Sequence, residues 1–70
     1  MKFAVIVEEG KDSFGAYVPD LPGCVAVGES RAEVLELIQE AVSLHLSSLK
    51  ERGASIPAPS SSVELIEVAA

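Results

Sequence analysis

The amino-acid sequence predicts an α+β domain with the element order βββαβ, and three observations carry that expectation. Short runs rich in Val, Ile, Phe and Tyr, separated by turn-forming residues, occupy the chain up to Glu29. At Ser30 the apolar spacing changes from alternation to a helical period, and an alternating run returns at Val63–Val68 after a Pro- and Ser-rich connection. With 70 residues, 49% apolar and 23% charged, the composition is that of one globular domain, 1–70, with a thin core.

The first run, "KFAVIVEE" from Lys2 to Glu9, puts Phe3, Val5 and Val7 on one side and Ala4 and Ile6 on the other. Apolar residues on both sides mark a strand inside a sheet rather than at its edge. "EGKDS" supplies a turn, and "FGAYVPD" resumes extended character, so the two runs form a hairpin. Pro19 and Pro22 lack backbone donors and carry the chain out of the sheet as a stiff bend, with Gly23 free to provide the return. "CVAVGE", Cys24 to Glu29, is the third strand.

Ser30 and Glu33 have the spacing of a capping box, which starts a helix. On a helical wheel Val34, Leu37, Ala41 and Leu44 lie to one side, Leu35, Val42, Leu46 and Leu49 to the other, and Ile38 between them. That arc is roughly 200° wide, against the roughly 100° needed to cover one face of a sheet. Arg52 and Gly53 end the helix, the latter at a position where left-handed geometry is common. Val63–Val68 then reads as a half-exposed fourth strand. Placed beside the first and parallel to it, this strand gives a mixed four-stranded sheet in the order 3-2-1-4, with one helix on one face.

An open sheet face and a helix apolar beyond what that sheet requires imply association of chains. The sequence therefore predicts a homo-oligomer, dimer or tetramer, with Phe3, Val5, His45 and Leu49 as interface residues. No window approaches a membrane span, and the single cysteine, Cys24, points to a cytoplasmic protein without disulfides.

Five basic against eleven acidic residues give a net charge of −6. That balance speaks against direct nucleic-acid binding, which depends on Lys and Arg displacing counterions from phosphates, and it suits a basic protein partner. A catalytic reading finds little support. Cys24 follows a glycine at the start of a strand, not at a helix N-terminus, and His45 sits within the apolar arc of the helix. Glu8, Glu9, Asp12, Asp20, Glu64 and Glu67 have no spacing that demands a metal, and no glycine opens a helix in a phosphate-loop pattern. The expectation is a non-enzymatic protein without metal or cofactor.

The distinctive stretch is Tyr17 to Cys24. Its prolines restrict the unbound loop, so Tyr17, Pro19, Asp20, Leu21 and Pro22 form a preorganised partner-binding surface with Leu21 as an apolar anchor, or Leu21 plugs the end of the core.

The same residues resemble the HicB antitoxin family, whose N-terminal domain carries a Y-x-P-D-L-P-G-C-x-x-x-G-D/E-T/S core followed by a helix. Tyr17, Pro19, Asp20, Leu21, Pro22, Gly23, Cys24, Gly28, Glu29 and Ser30 match in order, as do Glu40, Ala41 and Leu44 to Leu46; "GASIPAPS" resembles the family's G-x-x-I-P-x-P. The resemblance implies a partial RNase H-like fold and a non-catalytic antitoxin that neutralises HicA, a small basic mRNA-cleaving toxin. The alternative is a stand-alone oligomer binding another protein or ligand. Many family members add a C-terminal DNA-binding domain; this sequence ends at "VELIEVAA" without a further helix, so direct operator binding is not expected.

Overall fold

The computed structural model describes residues 1–69. Three short strands, β1 (Ile6–Glu9), β2 (Phe14–Tyr17) and β3 (Val25–Gly28), precede one helix, α1 (Arg31–Glu51). The sheet is antiparallel, in the order β1-β2-β3. These elements and their order match the first four that the sequence predicts.

Register shows how the alternation is used. Val7 lies opposite Ala16, and Ala16 opposite Ala26; Ile6 lies opposite Tyr17, and Tyr17 opposite Val25. Directly opposed residues share a face, so Val7, Ala16 and Ala26 face one way and Ile6, Tyr17 and Val25 the other. The first face is covered by α1. Its buried core comprises Ala16, Val18, Leu21, Cys24, Val34 and Ile38, with Phe3, Val5, Val7, Phe14 and Leu46 packed partly against it.

β1 is shorter than the run Lys2–Glu9, because Met1–Val5 has no ladder partner. The reason lies across the sheet: the Val18 N–H turns inward to the Cys24 carbonyl at 3.2 Å, and Pro19 has no N–H to give.

The helix begins as its sequence requires. The Glu33 N–H donates to Ser30 Oγ at 3.1 Å, while Glu33 Oε1 accepts from the Glu29 N–H at 2.8 Å. This is a capping box whose return bond falls one residue earlier than usual. At the other end the Gly53 N–H donates to the Lys50 carbonyl and the Ala54 N–H to the Leu49 carbonyl, with Gly53 at φ +67°. That pair of bonds is a Schellman motif, and it needs a residue without a Cβ at the left-handed position. Gly28 serves a different purpose. A Cβ there would lie 2.9 Å from the Val34 backbone nitrogen, so its absence lets β3 approach the first turn of α1.

The fourth strand is the correction. Val63–Val68 forms no strand and pairs with no neighbour; the described chain after Gly53 is irregular. Alternation in sequence supplies a strand with side-chain faces but not with hydrogen-bond partners, and here the outer edge of β1 stays unpaired. The sheet is accordingly antiparallel and three-stranded rather than mixed and four-stranded. The Cα radius of gyration, 13.8 Å, exceeds the roughly 11 Å of a compact domain of this length, as expected of a chain whose last segment stands off the body.

Candidate functional site

The Pro-rich segment is built from two successive turns. The Leu21 N–H donates to the Val18 carbonyl at 3.1 Å, and the Cys24 N–H to the Leu21 carbonyl at 3.0 Å. Pro19 and Pro22 each occupy the second position of their turn, where a φ near −65° is wanted. Gly23, third in the second turn, has φ +85°, a value that L side chains rarely adopt. The loop is thus held by proline, glycine and three backbone hydrogen bonds, and its shape does not depend on a partner.

This geometry separates the five loop residues. Tyr17, Pro19 and Pro22 are exposed, Asp20 is half-buried, and Leu21 is 0% exposed. Of the two places open to Leu21, the structure selects the core: the side chain is enclosed with Val18, Cys24 and Val34 and offers no anchor to a partner. An inward Leu21 instead fixes the outward prolines.

Asp20 has a role that sequence did not show. Its Oδ2 accepts the backbone N–H groups of Ser60 and Ser61, each at 2.9 Å, and its Oδ1 accepts their hydroxyls at 3.1 and 2.8 Å. The backbone bonds from Ser61 and then Ser60, followed by the hydroxyls, stabilise the ionised form and hold the carboxyl at about 2, below its ordinary 3.8. Two donors per residue from consecutive serines form a clamp that ties the post-helix segment to the loop. The "SSS" run at 60–62 is its only sequence trace, and nothing local links that run to an aspartate 40 residues earlier.

The other chemical candidates are scattered. Cys24 is buried and unpaired, and desolvation pushes its thiol up, away from the reactive thiolate. His45 and Leu49 are half-buried on α1, while Phe3 and Val5 are half-buried at the N-terminal segment. Among the described residues no three His, Cys, Asp or Glu side chains are grouped to hold a metal ion, and no helix is long and apolar enough to cross a membrane.

What the described chain exposes is apolar surface on three sides. The uncovered sheet face presents Tyr17, Val25 and Val27; α1 presents Leu44, 72% exposed, beside Glu36 and Glu40; the C-terminal segment presents Leu65 and Ile66. Such surface on a small acidic chain is suited to binding protein.

Residues 3–69 match the family described as the HicB-like antitoxin of bacterial toxin-antitoxin systems. The chain belongs to the HicB-like antitoxin family. It is 38% identical over 58 residues to a UPF0150 protein of Thermoplasma acidophilum, an alignment covering 81% of this chain and 84% of that one. A UPF0150 protein of Archaeoglobus fulgidus is 39% identical over 51 residues, 71% of this chain and 74% of its own. An uncharacterised 14.9 kDa protein of Haemophilus phage HP1 is 30% identical over 57 residues, 81% of this chain but 43% of that longer protein. No solved structure matches the chain. In this member of the HicB-like antitoxin family the exposed double-proline loop is braced from inside by Leu21 and from the side by the Asp20 clamp.

Proposed function

We propose that this HicB-like protein is a non-catalytic antitoxin that binds a small, basic, HicA-type ribonuclease toxin and blocks its access to mRNA. The family match over residues 3–69 carries the reading. The charge of −6 supports it, since an acidic chain attracts a basic partner and speeds encounter. The docking surface is the rim of the proline loop: Tyr17, Pro19 and Pro22 in contact, with Asp20 and Leu21 holding the loop's shape. A preorganised loop loses little conformational entropy on binding, which favours affinity.

The same acidity makes direct nucleic-acid binding unfavourable, and a single unpaired cysteine suits a cytoplasmic setting. Phe3, Val5, His45 and Leu49, each half-buried, are assigned to contacts between copies of the chain in a dimer or tetramer. A partial RNase H-like fold goes with this reading and requires a fourth strand beside β1.

The test is an RNA-cleavage assay with a purified HicA-type toxin. Equimolar antitoxin is expected to abolish cleavage, and a Tyr17→Ala/Pro19→Ala double variant that keeps its helical circular dichroism is expected to inhibit at least tenfold less well. A stable complex in which cleavage continues would overturn the reading. Absence of any complex would favour the stand-alone oligomer.

A further inference from the structure

The described chain carries two unsatisfied surfaces of the same chemistry. One is the outer edge of β1. It has no neighbour in the sheet, and beside it a groove of about 430 Å³ runs between the N-terminal segment and α1, lined by Phe3, Val5, Leu35, Ile38 and Val42. An unpaired edge with an apolar wall is a template for one more strand. The other surface is the C-terminal segment. Leu65 is 94% and Ile66 82% exposed, Val63 and Val68 are exposed as well, and the segment makes no ladder of its own.

We propose that the segment Val63–Val68 of one chain adds as a strand to the β1 edge of a second copy, and that the exchange is reciprocal, giving a two-fold dimer with the grooves of both chains filled. Two features favour a second copy over the chain's own edge. The segment's root is fixed, because Ser60 and Ser61 are held on Asp20, so the chain beyond it projects from one place. From Val63 to Ala69 an extended chain reaches roughly 23 Å, enough to cross to a neighbour, and in the structure it stands clear of its own groove. Reciprocal exchange satisfies both surfaces with one symmetry operation, and closure leaves no sticky end to propagate.

The other edge of the sheet is a poorer acceptor: β3 ends at Gly28, against the first turn of α1, and Val25 and Val27 point to the face away from the helix. A strand added there would find no wall for its apolar side chains.

The decisive experiment is an isotope-filtered NOE measurement on the full chain, with ¹³C-labelled and unlabelled protein unfolded, mixed and refolded together. Contacts between the methyls of Leu65 or of Ile66, whichever of the two alternating side chains faces the groove, in one chain and Phe3 or Val5 in the other are expected, with light scattering giving twice the 7.3 kDa chain mass. Contacts found only within one chain, or a monomer at 100 µM, would overturn the proposal. A chain ending at Ser62 gives an independent reading: it is expected to keep its helical circular dichroism and become monomeric. A dimer that survives this truncation would place the interface elsewhere and refute the exchange.

Discussion

Leu21→Ala tests the role of the proline loop most directly. The side chain is wholly enclosed, between the sheet and the start of α1. Truncation removes three carbon groups at about 0.8 kcal/mol each, and a cavity term adds to this because the double turn around it is too stiff to collapse. We expect a loss of about 3 kcal/mol, a large part of the roughly 4–10 kcal/mol available to a domain of this length. Urea unfolding followed by helical circular dichroism, at fixed protein concentration, measures it. In thermal unfolding the midpoint is expected to fall by more than about 10 °C. Pro22→Ala serves as the control: its ring is exposed, so the cost should stay near 1 kcal/mol and act mainly through the unfolded chain. A Leu21→Ala loss below about 1 kcal/mol with an unchanged denaturant slope would refute the view that Leu21 braces the loop from inside.

Further outcomes follow from other contacts. Gly28→Ala forces a Cβ to within 2.9 Å of the Val34 nitrogen and 3.2 Å of its Cα, both backbone atoms that cannot swing aside; denaturant unfolding should show a loss of about 1–3 kcal/mol, and a neutral result would mean that β3 and α1 separate freely. The Asp20 carboxyl is depressed to about 2, so the clamp is complete above the ordinary 3.8 and is lost as pH falls through about 2. The amide resonances of Ser60 and Ser61 should therefore move toward random-coil positions with a midpoint near pH 2, and a midpoint near 4 would contradict the four-bond geometry. Cys24 should resist iodoacetamide at pH 8 in the native protein and react readily in urea, because burial both hides the thiol and raises its pKa; rapid native labelling would show that the core opens.

The parts of this fold legible in sequence are those fixed by neighbours in the chain. Alternation placed three strands, Ser30 with Glu33 placed the helix start, and Gly53 placed its end, because each signal lies within one short stretch of the chain. The helix's excess apolar arc was legible too, and Leu35, Leu37 and Leu44 are indeed left exposed. Features decided by distant partners were not. Val63–Val68 has the alternation of a strand, yet a strand exists only if an edge accepts it. Leu21 had two plausible directions because a turn sequence specifies backbone shape, and burial is settled by what packs above it. The Asp20 clamp joins residues 40 apart through unremarkable serines. For the proline loop, sequence placed the bend but not which of its residues face outward.

The clamp has a kinetic consequence. Both hairpin contacts and the helix close short loops, whereas Asp20 meeting Ser60 and Ser61 encloses β3 and all of α1. Contacts of long sequence separation carry the larger closure entropy and form late on the way to the native state. Their loss therefore belongs to the shallow end of the unfolding landscape, and the segment beyond residue 60 can detach while the sheet and helix remain folded. The Ser60 and Ser61 amides should in consequence exchange with solvent on the timescale of this local opening, far faster than the chain unfolds.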